Sequence, residues 1–154
     1  MLAVEKLLQD KGVAYKLIPL TQPAYTVADT LIYSNGLAKP EEACKTIVIR
    51  AKKSKQLRAI LLYGDDRLDS GKVRRWLGED FSIASPEEVK SASGVEPGAV
   101  CPLLLTVPLF VDQKMLRLER VNIGSGNHLF GLELKLKDLL DAVQHEEADV
   151  TKSI

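Results

Sequence analysis

The sequence predicts an α+β fold, a curved, mixed and mainly antiparallel sheet or partial barrel with flanking helices. Three observations carry this. About six or seven short runs rich in β-branched residues are interrupted by amphipathic stretches without strict β-α-β alternation. The two strongest runs, Lys45 to Ala51 (KTIVIRA) and Leu57 to Tyr63 (LRAILLY), are separated only by the basic turn Lys52 to Gln56, which predicts a hairpin or neighbouring strands. At 154 residues, 45% of them hydrophobic, the chain is long enough for one domain with a core of its own.

The elements follow in order. Leu2 to Gln9 is an amphipathic helix stopped by Gly12, and Val13 to Pro19 is a strand. Thr26 is the N-cap of a second helix that Gly36 ends, and Pro40-Glu41-Glu42 starts a short turn. Asp69 or Ser70 caps a helix over Gly71 to Leu77, with Val73, Trp76 and Leu77 inward and Lys72, Arg74 and Arg75 on the wet side. A short strand covers Phe81 to Ala84, and Ser85-Pro86-Glu87-Glu88 is a capping box opening a helix to Ser91. Leu109 to Asp112 and Met115 to Val121 predict a hairpin turned at Asp112-Gln113-Lys114. The small-residue loop Gly124 to Asn127 precedes a strand, Leu129 to Leu134, and a helix, Leu136 to Val143. One domain is expected over residues 1–143, followed by a polar, frayed tail over 144–154.

Composition excludes several classes. Twenty-one basic and 21 acidic residues cancel, so a polyanion has to be held by a local patch. The densest basic features are Lys52, Lys53 and Lys55 in the turn and Lys72, Arg74 and Arg75 on the helix. Glu5 and Asp10 interrupt the N-terminal apolar stretch, so no signal peptide is expected, and no run approaches the roughly 20 apolar residues of a membrane span. Cys44 and Cys101 lack metal-ligand spacing and predict reduced thiols in a cytoplasmic protein. GxSxG, HExxH, Walker and CxxC motifs are all absent. A thiol nucleophile, Cys44 or Cys101 with His128, is formally available, but a lone cysteine among hydrophobes is ordinarily core. His145 lies in an acidic stretch and is expected to be solvated.

The stretch GVEPGAVCPLL, Gly94 to Leu104, concentrates two glycines and two prolines. Gly94 is placed to end the preceding helix. Gly98 and Ala99 can present backbone N–H groups to an oxyanion, with Pro97 and Pro102 stiffening the loop so that little reorganisation is needed.

The ordered series CKTIVIR, LLYGDDRLDSGKVRRWLG, SIASPEEV, GVEPGAVCPLL, LFVDQKML and NIGSGN resembles the YbaK and ProX-like proteins, free-standing relatives of the editing domain inserted in bacterial prolyl-tRNA synthetases. The resemblance spans roughly residues 1–143, and an ordered series is far more specific than any one motif. It implies hydrolysis, in trans, of the ester between a small wrong amino acid (alanine, cysteine or serine) and a tRNA, that for proline in the first place, with no metal or organic cofactor. It places the family's essential lysine at Lys45 and its GxxxGxVxP loop at Gly94, Gly98, Val100 and Pro102. The implied substrate-binding set is Thr26, Ala99, Pro102, Ser125, Gly126, Asn127 and His128; the charge pattern itself makes Lys72, Arg74 and Arg75 the candidates for RNA contact. The partners the resemblance implies are the acceptor end of mischarged tRNA and prolyl-tRNA synthetase, without a membrane. Pro102-Leu103-Leu104 departs from the family's usual Pro-Leu-Gly or Pro-Phe-Gly, which bears on pocket shape more than on hydrolytic class. Two other classes stay open: a non-catalytic tRNA- or synthetase-binding module of the same fold, and a thiol-dependent or small-ester hydrolase.

Overall fold

Branched apolar side chains at alternate positions make strands that must bury at least one face, and this chain buries them in two sheets. In the computed structural model, which describes residues 1–153, the elements are α1 (Ala3–Asp10), β1 (Lys16–Pro19), α2 (Val27–Tyr33), a 3₁₀ turn (Pro40–Glu42), β2 (Cys44–Ala51), β3 (Leu57–Tyr63), α3 (Ser70–Leu77), β4 (Phe81–Ile83) and α4 (Pro86–Ser93). After these come β5 (Leu109–Asp112), a second 3₁₀ turn (Gln113–Arg117), β6 (Arg120–Gly124), β7 (Phe130–Lys135), α5 (Leu136–Ala142) and β8 (Glu146–Ala148). One sheet is antiparallel with order β1-β7-β6; the other is mixed with order β4-β2-β3-β5-β8. A parallel bridge between Ala43 and Asn122 joins them. The fold is therefore α+β, and the sheets do not close into a barrel.

Local signals worked as chemistry requires. The Thr26, Asp69 and Ser85 side chains each accept a backbone N–H from the first turn of α2, α3 and α4, and Glu88 returns the bond to the Ser85 N–H. The β2–β3 hairpin pairs Lys45 with Leu62 and Arg50 with Leu57. The main core lies between the sheets and under α1, α4 and α5, built on Leu8, Val48, Leu61, Val89, Leu132 and Leu139. A second cluster, including Ile49, Ile60, Leu62, Val73 and Phe110, fills the other face of the mixed sheet beneath α3.

Two expectations are corrected. Met115 to Val121 does not fold back on Leu109 to Asp112. β5 is flanked by parallel strands on both sides, β3 and β8, and so has no free edge. The Asp112 carboxylate instead accepts from Lys114 N–H, the chain turns through a 3₁₀ helix that buries Met115, and β6 enters the other sheet beside β7. Among the described residues the segment after Gln144 is not frayed either; Ile154 lies outside them. β8 completes the mixed sheet, Ala148 and Val150 are buried, and the buried Asp112 accepts from Val150 N–H at 3.3 Å and Thr151 Oγ1 at 3.0 Å. His145 is half-buried, with Nδ1 2.9 Å from the Val143 carbonyl oxygen.

Candidate active site

The start of β2, the glycine loop and the loops before α2 and β7 meet at the joint between the two sheets. There they enclose a cleft of about 570 Å³. Among the expected residues, Thr26, Lys45, Gly98, Asn127 and His128 line it; Ala99, Pro102, Ser125 and Gly126 do not. Lys45 projects beside the C-terminal end of β3, where its Nζ donates to the Gly64 carbonyl at 2.9 Å. Burial lowers its pKa from the ordinary lysine value, and nearby Arg67 adds to this against the opposing pull of Asp65 and Asp66. A cation that is partly desolvated and held by one carbonyl has donors left for a ligand oxygen.

The glycine loop forms the opposite wall. Pro97 and Gly98 are the central pair of a turn in which Gly98 takes φ +104°, matching the type II preference for proline then glycine. The small-residue loop is locked onto it backbone to backbone. Gly126 N–H donates to the Ala99 carbonyl at 2.8 Å, and a β-carbon on Gly124 would lie 2.1 Å from the Val100 oxygen. His128 Nε2 sits 3.1 Å from the Pro97 carbonyl, which accepts only, so the proton of this contact is on Nε2. Ser125 supports the wall from behind: it is buried, its one hydroxyl proton has the Phe130 carbonyl at 2.7 Å as its nearer acceptor, and its oxygen accepts from Asn127 N–H at 3.2 Å. Thr26 both caps α2, through Asp29 N–H at 3.0 Å, and lines the cleft.

Several lining residues were not singled out from sequence. Tyr25 is 59% exposed at the rim, its ring 4.7 Å from that of His128. Thr46, Gly64, Asp65 and Asn122 also contribute. The polar Asn122 inside the apolar strand RVNIG was the one local hint.

The thiols are not nucleophiles in this setting. Burial pushes both Cys44 and Cys101 up to about 12, so they stay protonated near neutrality. Among the described residues no three His, Cys, Asp or Glu side chains are grouped to hold a metal ion, and no helix is long and apolar enough to cross a membrane.

The basic helix faces elsewhere. Lys72 Nζ pairs with Asp149 at 2.9 Å, Arg74 lies 3.7 Å from Asp80, and Arg75 is exposed; none of the three lines the cleft.

Residues 21–142, which contribute all of the residues lining this cleft except Leu20, match the model of the aminoacyl-tRNA editing domain. The chain belongs to that family. A protein solved as hypothetical is similar at 26% identity and TM-score 0.84, over 97% of this chain and 99% of that one. A second, provisionally assigned as a trans-editing enzyme for prolyl-tRNA synthetase, is similar at 25% identity and TM-score 0.81, over 97% and 95%. The editing fold also overlays 30% of a larger chain from Marinobacter aquaeolei VT8, provisionally assigned to signal transduction, at 18% identity and TM-score 0.70. At that identity the likeness shows the fold alone.

Proposed function

We propose that this editing-family protein is a trans-acting deacylase that removes a small wrong amino acid from mischarged tRNA, with tRNA for proline the leading substrate. The observation that carries the reading is the convergence of Lys45, Thr26, the Gly98 turn, Asn127 and His128 on one cleft. The likeness to a provisionally assigned trans-editing enzyme supports the proline system.

In this mechanism the terminal adenosine and its aminoacyl ester enter past Tyr25. Lys45 holds an ester or phosphate oxygen as a compact cation, and the Gly98 turn presents backbone N–H to the developing oxyanion. Water, assisted by the free ribose hydroxyl of the substrate, adds to the carbonyl carbon. The bond from that carbon to the ribose oxygen then breaks, the ribose oxygen takes a proton, and free amino acid and tRNA leave. With no strong protein base in the scheme, catalysis rests on orientation and electrostatic stabilisation.

The test is a panel of alanyl-, cysteinyl-, seryl- and threonyl-tRNA incubated with purified protein. Turnover on at least one small ester is expected. Inactivity of folded protein across the panel sinks the deacylase reading.

A further inference from the structure

The turn that leaves β3 sets an aspartate beside Lys45. Asp66 N–H donates to the Tyr63 carbonyl at 3.0 Å, which makes Gly64 and Asp65 the central pair of the turn. Gly64 is held on three sides: its N–H donates to the Ala43 carbonyl at 2.8 Å, its own carbonyl accepts from Lys45 Nζ at 2.9 Å, and a β-carbon on it would lie 3.0 Å from Val27 Cγ1. Only one peptide unit separates that carbonyl oxygen from the next residue, so the Asp65 Cα stands within about 6 Å of the Lys45 ammonium. Asp65 is exposed and lines the cleft, and among the described lining residues it is the one carboxylate, as Lys45 is the one lysine or arginine. Among the described residues no cation forms an ion pair with it. Its field nonetheless reaches Lys45, opposing the fall in that lysine's pKa. The residues next in sequence play no such part: Asp66 Oδ2 is buried, and neither Asp66 nor Arg67 lines the cleft.

We infer that Asp65 binds the α-ammonium of the aminoacyl group while Lys45 holds its ester, so that the cleft selects acyl groups with a charged α-amine over α-hydroxyacyl groups of the same shape. The inference rests on the deacylase reading and gives that site its specificity for amino acids as such. An aminoacyl ester brings a cation two bonds away from the carbonyl carbon under attack. Lys45 alone would repel that cation, and an unpaired carboxylate close beside the lysine turns the repulsion into attraction. The chemistry is complementary, because a carboxylate only accepts and an ammonium only donates. An α-hydroxyl donates as well but carries no charge, and a hydrogen bond with both partners ionised is roughly twice as strong as a neutral one. That difference is what the site reads.

The experiment compares kcat/KM on alanyl and lactyl esters of one tRNA, each divided by the rate of its spontaneous hydrolysis, for the parent, the isosteric Asp65→Asn and Asp65→Ala. In parallel it measures binding of alanyl and lactyl amides of 3′-amino-3′-deoxyadenosine, which have no ester to lose. The parent is expected to favour alanyl by at least about tenfold in both assays, the scale of one charge-assisted hydrogen bond. Both substitutions are expected to bring the ratio close to one, by loss on the alanyl compound alone. A parent ratio near one, or a preference that survives in Asp65→Asn, overturns the inference. So does an equal loss on both esters, which assigns Asp65 to tuning Lys45 instead of touching substrate. Alanyl-selective amide binding that depends on Asp65, without hydrolysis of any ester, supports the inference while the deacylase reading fails. Hydrolysis without a preference that depends on Asp65 sinks the inference alone; neither binding nor hydrolysis sinks both.

Discussion

The backbone of Gly98 lies directly against that of Tyr25: a β-carbon on residue 98 would come 2.6 Å from the Tyr25 Cα and 2.7 Å from its carbonyl oxygen. The glycine therefore does more than relax the chain. It lets the turn and the rim of the cleft touch. Gly98→Ala meets a backbone clash and a φ of +104°, so even the smallest side chain is expected to be costly there. Strain of this kind costs on the order of 1–3 kcal/mol. Gly94→Ala, at φ +78° with open space around it, should cost only the left-handed conformation itself, about 1–2 kcal/mol, and keep turnover. Denaturant midpoints and deacylation rates for both variants make the comparison; equal stability of the Gly98 and Gly94 variants would refute the packing account.

Lys45→Ala should cut turnover about a hundredfold or more, the scale of losing one preorganised electrostatic donor. Stability should fall by only about 1 kcal/mol, because the variant forgoes a single hydrogen bond to the half-buried Gly64 carbonyl. Single-turnover kinetics beside a melting curve separates the two. A variant retaining most of its turnover removes Lys45 from the mechanism.

On the basic helix the structure separates three residues that the sequence presents as one patch. Lys72, its side chain 18% exposed and paired with Asp149, ties α3 to the C-terminal segment. Lys72→Ala should mainly lower the melting temperature. Arg74 and Arg75 remain the candidates for phosphate binding. Reversing both charges should raise KM and flatten its salt dependence, by a slope of about one for each phosphate no longer neutralised. A KM and salt slope indifferent to the reversal would place the RNA path on another face.

Stability should decline at alkaline pH. The thiols of Cys44 and Cys101 titrate near 9.0 in an unfolded chain and at about 12 in the fold. Between those values the folded state holds more protons than the unfolded one, so stability is full below pH 9 and falls as pH climbs toward 12. The slope approaches about 1.4 kcal/mol per pH unit for each thiol. Denaturation under reducing conditions from pH 8 to 11 measures it, and Cys44→Ala should make the decline shallower; a flat profile contradicts the burial of these groups.

Removing residues 146–153 should destabilise the protein severely. The deletion strips β8 from β5, uncovers Phe110 and Ile60, and leaves the Asp112 carboxylate buried without Val150 N–H and Thr151 Oγ1. Leaving a buried hydrogen-bonding group without its partners costs on the order of 1–3 kcal/mol, to which the lost strand and apolar contacts add. Cooperative unfolding at the parent's denaturant midpoint would show the segment to be dispensable.

What the sequence disclosed was what short-range chemistry decides. Thr26, Asp69 and Ser85 as caps, Gly94 as a left-handed terminator and the β2–β3 hairpin are each settled within a few residues. Lys45, Gly98, Asn127 and His128 were legible because an ordered series of motifs marked them, and they do meet in one cleft. The direction of β5 was not legible, since it depends on β3 and β8 arriving from far along the chain. β8 was missed because Glu146 and Glu147 look like solvent-facing tail, and its fixed point is Asp112, distant in sequence. Tyr25 and Thr46 owe their place to packing through space.

The parallel pairing of β3 with β5 also governs how the protein comes into being. Everything between them, residues 64–108 with α3, β4, α4 and the Pro97–Gly98 turn, must be gathered before the first bond of that pair can form. The entropy of closing so long a loop is spent early and recovered late, which marks topologies of this kind as slow folders. Because Lys45 stands before that crossover and Asn122 and Asn127 after it, the cleft is complete only once both sides of the crossover have come together. A nascent chain that ends short of Asn122 and Asn127 therefore lacks one side of the cleft, however well its first hairpin has formed.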